Sequence, residues 1–439
     1  MSGLEDSIRR ARAAASELAA AGTEAKNGAL EAMASALESS RAEILRANAA
    51  DVLRAEESGL PPALVKRLRL DDAKVAEMAE GIRSVARLPD PVGETAYAVR
   101  LDDGLTLYQV RCPIGFLGVI FESRPDAVPQ IMSLCLKSGN GVAFKGGSEA
   151  SGSNRILFDV LSRAAEGAGL PGGAFVLMET RADIGEILSM DGLIDLLIPR
   201  GSNSFVREIQ ERTRIPVLGH SSGVCHVYVD GGADLDMALG VALDSKTQYP
   251  AACNAAEALL VSREVAAEFV PRVARALRDA GVEIRADAES RAMIPADVPS
   301  KEASEGDWGA EYGDLTISLK IVGGADEAIG FINRHGSHHT DAIVTGDPAA
   351  RDAFVRRVDS ADVFVNASTR FADGYRFGKG AEVGISTNKI HSRGPVGMEG
   401  LMIYKYVLAG SGHVVKDYSG PGARRFAHEA VDERYGMSP

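Results

Sequence analysis

Residues 113–150, PIGFLGVIFESRPDAVPQIMSLCLKSGNGVAFKGGSEA, carry the pattern that decides the fold. The apolar run at 116–121 predicts a buried strand, and residues 128–138 predict a helix that ends at Gly139. A second apolar run at 142–145 predicts another strand directly afterwards. Short buried strands that alternate with helices are typical of a parallel, doubly wound α/β sheet.

The same alternation continues through much of the chain. We predict that a second α/β unit begins near Val224. Beyond the opening segment, the predicted helices span residues 148–169, 235–246 and 326–334, and the predicted strands span residues 174–178, 193–198, 226–229, 315–322 and 341–345.

A helical region and a hairpin precede this pattern. Residues 4–57 have the composition and apolar spacing of a helix, and a further helix is predicted to about Ala86 after the Gly-Leu-Pro-Pro break at 59–62. Residues 97–111 alternate around an Asp-Gly turn and predict a β-hairpin. The residues alone leave two interpretations open, an arm for subunit pairing and an ordinary surface hairpin.

The composition is that of a globular protein of about two or three domains. The chain has 439 residues, of which 45% are hydrophobic and 25% charged, and its net charge is -13. That charge disfavours nonspecific binding to nucleic acid or to anionic membranes, because both would repel the surface. No stretch approaches the ~20 apolar residues of a membrane span. We therefore expect a cytoplasmic protein with neither nucleic acid nor membrane as a partner.

The cysteines indicate neither a disulfide framework nor a zinc knuckle, because they are widely spaced. One of them, Cys253, lies in the segment YPAACN at 249–254, where small neighbours leave a sulfur accessible. A buried inert thiol and a catalytic nucleophile both remain open at this point. The other cysteines are Cys112, Cys135 and Cys225.

Two strand ends are candidate ligand contacts. In FKGGSE at 144–149 a lysine ends a strand, two glycines follow, and a helix begins whose N-terminus favours phosphate. In IDLLIPRGSN at 194–203 a second strand enters a glycine turn that can hold a pyrophosphate or a nicotinamide ribose. Neither segment is a GxGxxG fingerprint, and an ordinary turn with a surface lysine remains the alternative for the first.

Three later segments combine hydroxyl and arginine side chains, namely VNASTRF at 365–371, GISTN at 384–388 and HSRGP at 391–395. Such groups suit recognition of a carboxylate or phosphate, although solvated loops would look alike. The histidines of HGSHH at 335–339 do not predict a metal site, because no carboxylate or thiolate cluster accompanies them.

Over nearly its whole length the chain resembles the glutamate-5-semialdehyde dehydrogenase family of the aldehyde dehydrogenase superfamily. The resemblance rests on the order and spacing of the segments quoted above. It also covers ESRPD at 122–126, LKSGN at 136–140, VCHVYVD at 224–230, HTDAIVT at 339–345 and GAEVGIST at 380–387.

The resemblance implies an α/β, aldehyde dehydrogenase-like fold with two doubly wound parallel-sheet domains and a small β oligomerisation arm. Residues 1–97 and 112–222 would form the cofactor-binding domain, 223–400 the catalytic domain, and 98–111 with 401–418 the arm. A homodimer or higher homo-oligomer is the expected assembly. No kinase half is found in the sequence, so a separate glutamate 5-kinase in transient contact is expected to supply the substrate.

The implied reaction is the NADPH-dependent reduction of L-glutamyl 5-phosphate to L-glutamate 5-semialdehyde with release of phosphate, in proline biosynthesis. Cys253 stands at the family's nucleophile position and would carry a thioacyl intermediate. Contacts to the oxyanion or acyl phosphate are implied at Asn254 and Arg124. Contacts to NADP(H) are implied at Lys145, Ser148, Arg200, Gly201, Ser202 and Glu311, and contacts to the substrate at His220, Ser368, Arg370, Ser386 and Thr387.

Two substitutions bear on these expectations. Ser148 stands where NAD-preferring relatives carry an acid, which leaves room for a 2′-phosphate that Lys145 could pair with, although Glu149 is adjacent. Ser222 stands where relatives usually carry an aspartate, which puts part of the substrate recognition in doubt.

The sequence disfavours two alternative functions. A hydrolytic aldehyde dehydrogenase would need a glutamate to activate water, and the corresponding stretch LGHSSG at 218–223 contains no carboxylate. A catalytically silent scaffold is disfavoured because both Cys253 and Lys145 are present.

Overall fold

The computed structural model describes residues 3–122, 124–201, 203–219 and 222–436. Within these ranges the chain forms a four-stranded and a seven-stranded parallel sheet, a four-stranded antiparallel sheet and a short two-stranded pair. The predicted α/β class with two parallel sheets is confirmed. In the described part of the chain, no helix combines the length and apolarity that crossing a membrane requires.

The N-terminal region consists of five helices, whereas the sequence predicted two helical stretches. The prediction of one continuous helix over 4–57 is wrong, because Gly22 is extended (ψ 158°) and separates two helices. Asp71 likewise caps a new helix by accepting a hydrogen bond from Lys74 N at 2.8 Å. The helices are α1 (Gly3–Ala19), α2 (Thr23–Ser39), α3 (Arg41–Glu57), α4 (Pro62–Leu68) and α5 (Asp72–Arg87).

The predicted hairpin follows these helices. Its strands β1 (Thr95–Asp102) and β2 (Leu105–Pro113) pair antiparallel. Gly104 closes the turn with a φ of 69°, a conformation that favours glycine.

The first parallel sheet has the strand order β5-β4-β3-β6. The chain proceeds outward from β3 to β5 and then returns to the other side of β3 with β6. Ligands of open α/β sheets bind at the carboxyl ends of the strands where the order reverses, here between β3 and β6. The elements are β3 (Phe116–Phe121), α6 (Ala127–Ser138), β4 (Gly141–Lys145), α7 (Ser151–Gly167), β5 (Phe175–Leu177), α8 (Arg181–Ile187), β6 (Leu196–Arg200) and α9 (Asn203–Arg212).

Both faces of this sheet are covered by apolar cores, which explains why its strands are uninterrupted apolar runs. Along β3, Leu117 and Val119 belong to one core, which includes residues of the N-terminal helices. Phe116 and Ile120, which point the other way, belong to a second core. The period of two is therefore present in space although the sequence does not show it.

The second parallel sheet has the order β10-β9-β11-β8-β7-β12-β13. One of its two apolar cores includes residues of α10 and α11, and the other contains Tyr228, Trp308 and Phe354. The elements are β7 (Cys225–Val229), α10 (Leu235–Thr247), β8 (Ala256–Ser262), α11 (Arg263–Asp279), β9 (Glu283–Ala286), α12 (Ala288–Met293), β10 (Lys301–Glu302), β11 (Thr316–Val322), α13 (Ala325–His335), β12 (Thr340–Val344), α14 (Pro348–Arg357) and β13 (Asp362–Val365).

The C-terminal part returns to the hairpin. After the short pair β14 (Gly384–Ser386) and β15 (Gly394–Val396), strand β16 (Met402–Ala409) pairs antiparallel with β2. Strand β17 (Glu429–Val431) pairs with β1 and lies beyond the predicted arm segment 401–418. The hairpin is therefore part of a four-stranded sheet, and its use in subunit pairing stays a prediction.

Candidate active site

Cys253 lies in a loop, residues 248–255, that connects α10 to β8 at the amino end of the second parallel sheet. Two successive turns shape this loop, with Ala252 N bonded to Tyr249 O at 3.2 Å and Ala255 N bonded to Ala252 O at 2.9 Å. The Cys253 side chain is partly exposed, and its carbonyl oxygen accepts a hydrogen bond from Cys225 Sγ at 3.3 Å. The loop thus leaves the thiol partly exposed, while its backbone is held by the hydrogen bond from Cys225.

Gly223 approaches the same backbone from the other side. A Cβ at Gly223 would lie 2.6 Å from Cys253 Cα and closer still to the Cys253 carbonyl oxygen. Only a residue without a side chain fits at this contact. The glycine is therefore required by the position of the loop.

The other three thiols lie in surroundings that keep them protonated. Burial raises the pKa of Cys135, and it raises the pKa of Cys225 well above its usual value, with the Asp341 charge adding to the effect. Burial also raises the pKa of Cys112, which the Lys405 charge opposes. A protonated thiol is a poor nucleophile, so these three cysteines are poor candidates for catalysis.

Arg370 is attached to the Cys253 loop. Its Nε donates to Gln248 Oε1 at 2.9 Å, and its guanidinium lies 5.8 Å from the Tyr249 ring centroid. Burial and the neighbouring Arg376 lower the pKa of Arg370, while the charge of Cys253 acts in the opposite direction. The predicted substrate contact therefore lies beside the predicted nucleophile.

Arg200 ends β6 at the carboxyl edge of the first sheet and also interacts electrostatically with Cys253. Its Nη1 is buried and finds no hydrogen-bond partner among the residues that the structure describes. Burial, and then the charge of Arg124, lower the pKa of Arg200, while Glu382 has the largest opposing effect. Arg200 is therefore an electrostatic neighbour of Cys253, and its contact with the cofactor stays a prediction.

Arg124 and Asn254 were predicted as contacts to the oxyanion or acyl phosphate. The Arg124 guanidinium forms an ion pair with Asp126 at 3.0 Å and remains about half exposed. Asn254 is buried, and its Nδ2 donates to Ala372 O at 2.8 Å, while its Oδ1 has no partner in the part of the chain that the structure describes. The side chain of Asn254 therefore joins the cysteine loop to the segment that follows Arg370.

The hydroxyl groups of the two predicted serine contacts have hydrogen-bond partners within the protein. Ser368 Oγ accepts a hydrogen bond from Arg370 N at 3.3 Å and bonds Ser245 Oγ at 3.2 Å. Ser386 is fully buried, and its Oγ accepts from Asn388 N at 3.2 Å. Thr387 N donates to Gly219 O at 3.3 Å, so this segment contacts the chain four positions before Gly223.

The predicted cofactor contacts at 145–149 lie at the carboxyl end of β4. Lys145 is buried, and its Nζ donates to Gly146 O at 2.8 Å. Ser148 is exposed at the start of a short 3₁₀ turn. The Glu149 carboxylate folds over Gly147, where a Cβ would lie within 2.5 Å of Oε2. The turn therefore combines a lysine, two bare glycines and an acid.

The helix N-terminus beside this turn is already occupied. Asp51 of α3 is fully buried and accepts hydrogen bonds from Ser153 N and Ser153 Oγ, both at 2.7 Å, and from Gly152 N at 3.3 Å. The amides of Gly152 and Ser153 therefore serve this carboxylate. The expectation that phosphate is favoured at this helix N-terminus stays a prediction for the residues that precede Gly152.

Gly201 and Glu311 are the remaining predicted contacts that the structure describes. A Cβ at Gly201 would lie 2.7 Å from Glu122 Oε2, so this turn also requires a glycine. Glu311 lies between β10 and β11, and its charge acts on buried Glu257. Ser202 and His220 lie outside the described residues.

Sequence reasoning missed three charged residues. Glu382 is the acidic neighbour of Arg200, accepts from Gly374 N at 2.8 Å, and has its pKa raised by burial. Lys246 and Glu257 form a buried ion pair at the two ends of the cysteine loop. A glutamate inside the apolar strand 256–262 was the one available signal in the sequence.

The histidines at 335–339 find separate partners. His338 Nδ1 bonds Asp359 O at 2.7 Å, and His339 Nδ1 bonds Thr340 Oγ1 at 2.8 Å. No group of three or more metal-binding side chains is found among the residues that the structure describes.

Comparisons with known proteins show the family to which the chain belongs. Residues 4–295 match the model of the aldehyde dehydrogenase family. The γ-glutamyl phosphate reductase of Methanosarcina barkeri is 56% identical over 98% of both chains, and that of Pelotomaculum thermopropionicum is 54% identical over 99% of both. The crystal structure of γ-glutamyl phosphate reductase from Thermotoga maritima has a TM-score of 0.91 at 40% identity and covers 94% of this chain and 100% of its own.

Proposed function

Because the chain belongs to the aldehyde dehydrogenase family and has the γ-glutamyl phosphate reductase activity of proline biosynthesis, we propose that it reduces L-glutamyl 5-phosphate with NADPH through a thioacyl intermediate on Cys253. The observation that carries the proposal is the partly exposed Cys253 thiol with Arg200 and Arg370 as electrostatic neighbours. A thiolate beside cationic groups is suited to attack an activated acyl carbon.

The reaction begins when the Cys253 thiolate attacks the acyl carbon and inorganic phosphate leaves with the electrons of the C–O bond. A nicotinamide cofactor held by the residues named below would supply the hydride that converts the thioester to the thiohemiacetal anion. The Cys253 thiolate then leaves the thiohemiacetal, which yields L-glutamate 5-semialdehyde. We propose that the backbone N–H of Cys253 stabilises the oxyanion that develops in both halves.

We propose that Arg200 and Arg124 bind the acyl phosphate. Burial, followed by the charge of Arg124, lowers the pKa of Arg200, and the buried Nη1 of Arg200 has no hydrogen-bond partner in the described ranges. Two neighbouring guanidiniums suit a phosphate dianion, which accepts bidentate hydrogen bonds. Arg370 would then bind the substrate carboxylate from the other side of Cys253.

We propose that the turn at 145–149 receives the dinucleotide, because a lysine at the carboxyl end of a parallel strand lies where α/β sheets bind ligands. A Cβ at Gly146 would collide with Phe121 and Asn154, so the turn is held closely against these two side chains. We propose that Lys145 and Ser148 hold the adenosine end, that Gly201 and Ser202 hold the pyrophosphate, and that Glu311 binds the nicotinamide ribose. Preference for NADP then depends on how Glu149 meets a 2′-phosphate.

Changing Glu149 to glutamine is expected to tighten NADPH binding by about fivefold, because the carboxylate over Gly147 would repel a 2′-phosphate. NADH binding should stay unchanged, and fluorescence titration of both nucleotides measures the difference. Asp159→Asn, which removes one charge farther along α7, is the control. Equal changes for NADPH and NADH would contradict a role for Glu149 in cofactor choice.

The remaining expectations belong to the same proposal. We propose that the sheet of β16, β2, β1 and β17 pairs subunits of a homo-oligomer. Residues 1–97 with 112–222 would bind the cofactor, and 223–400 would carry the chemistry. A separate glutamate 5-kinase would deliver the substrate in the cytoplasm.

The test is the reverse reaction, followed as NADPH formation from L-glutamate 5-semialdehyde with and without inorganic phosphate. We expect turnover that requires phosphate, because phosphate must attack the thioester to release the product. Arsenate should replace phosphate, since it is also a competent nucleophile. Turnover without either anion would indicate hydrolysis of the thioester and would contradict the proposal.

A further inference from the structure

A buried ion pair joins the two ends of the cysteine loop. Lys246 lies in the last turn of α10 and Glu257 lies at the start of β8, so residues 248–255 are enclosed between them. The Lys246 Nζ and Glu257 Oε2 atoms are 2.7 Å apart, and the two side chains are 0% and 1% exposed. The pair therefore fixes the span of the loop that carries Cys253.

Glu257 also contacts a third segment. Its other oxygen, Oε1, accepts a hydrogen bond from Gly313 N at 3.4 Å. Gly313 follows Glu311, the proposed contact to the nicotinamide ribose, and leads into β11, which pairs with β8 through Ser318 and Ala258. One carboxylate thus links the end of the helix that precedes the cysteine loop to the segment proposed to hold the hydride donor.

Stability alone does not account for such a pair. Burial raises the pKa of Glu257 to about 7, although the Lys246 charge lowers it, so desolvation outweighs the attraction. Buried ion pairs are often no more stabilising than apolar side chains of similar size, and their best supported use is to fix one arrangement. The position of this pair, at three converging segments, is where one fixed arrangement matters.

We infer that Lys246 and Glu257 are positioning residues, which hold Cys253 in register with the segment that carries Glu311. The inference rests on the proposed roles of Cys253 and Glu311. Neither residue of the pair touches the reacting atoms. Their effect is on where the sulfur lies relative to the acyl carbon and the hydride.

The test replaces the pair by apolar residues of similar size, Lys246→Met with Glu257→Leu. The rate of Cys253 alkylation by iodoacetamide, assigned by mass spectrometry of the peptide, reports the loop independently of turnover. We expect the double variant to unfold near the wild-type temperature. The rate of Cys253 alkylation should nevertheless fall by about tenfold or more. Its kcat should fall similarly, with a smaller change in KM.

The chain offers a matched control, the buried pair of Lys26 and Asp90, whose atoms are 3.1 Å apart and whose side chains are 0% and 7% exposed. Lys26→Met with Asp90→Leu should leave alkylation and kcat unchanged. The inference would be overturned if alkylation and kcat of the Lys246 and Glu257 variant stayed within about twofold of wild type. Equal losses in both double variants would also overturn it.

If the first double variant does not fold, Glu257→Gln carries the test with the same expected direction, because it keeps the size of the side chain. A Cys253→Ala enzyme that retains turnover would overturn the proposed role of Cys253 instead. The two outcomes can be distinguished, because the alkylation rate of Cys253 in the wild type and the pair variants does not depend on which reaction the enzyme catalyses.

Discussion

Cys253→Ala is expected to abolish phosphate-dependent formation of NADPH from L-glutamate 5-semialdehyde, by a factor on the order of 10⁴ or more. Without the sulfur no thioester forms, so phosphate has no acyl group to attack. The loss should appear in kcat, while NADPH binding by fluorescence titration stays at the wild-type value. Absence of a mass increase at residue 253 after reaction with an acylating substrate analogue gives a second measurement.

The control for this variant is Cys112→Ala. Cys112 is also only partly buried, but it lies on β2 in the antiparallel sheet, paired with Ile403. This variant should retain activity within about twofold of the wild type, as is usual for a conservative change away from a site. If Cys112→Ala instead eliminated turnover and Cys253→Ala did not, the assignment of the nucleophile would be wrong.

Gly223→Ala is expected to reduce kcat on the order of 10²-fold, although no reacting group is removed. The added Cβ would lie 2.6 Å from Cys253 Cα, so one of the two backbone segments must move. Movement of the Cys253 loop displaces the sulfur and its backbone N–H together, which weakens both attack and oxyanion stabilisation. Steady-state kinetics with alkylation of Cys253 measures the effect.

Gly240→Ala is the matched control for this substitution. Gly240 lies within α10, where an added Cβ meets nothing within 4 Å. Alanine is the better helix former, so this change should leave kcat unchanged and raise stability by about 0.5–1 kcal/mol. Equal kinetic losses at both glycines would show that the contact with Cys253 is not responsible.

The sequence predicted the four strands of the first parallel sheet, and β7, β11 and β12 of the second, because their signal is local. The other strands of the second sheet, β8, β9, β10 and β13, were missed. Buried runs such as 116–121 and 142–145 are short, apolar and bounded by turns, and each became a strand with nearly the predicted limits. The break at Gly22 was missed because helix-favouring residues flank it on both sides. Strand β17 was missed because it is short and its three residues pair with a strand from far earlier in the chain.

The roles of Cys253 and Arg370 stay predictions, but their proximity is a finding. The sequence named both residues, and the structure bonds Arg370 to Gln248 of the loop that carries Cys253. The ion pair of Lys246 and Glu257 depends on the geometry by which a helix end and a strand start meet, which no local pattern encodes. The buried Nη1 of Arg200, which has no hydrogen-bond partner within the described part of the chain, likewise follows from tertiary packing.

The Asp51 carboxylate ties α3 to a segment 102 positions later in the chain. A chain without α3 would leave the amides of Gly152 and Ser153 and the Ser153 hydroxyl without this acceptor. The N-terminal helices therefore do more than cover one face of the first sheet, because one of them fixes the start of the helix that follows the turn at 145–149.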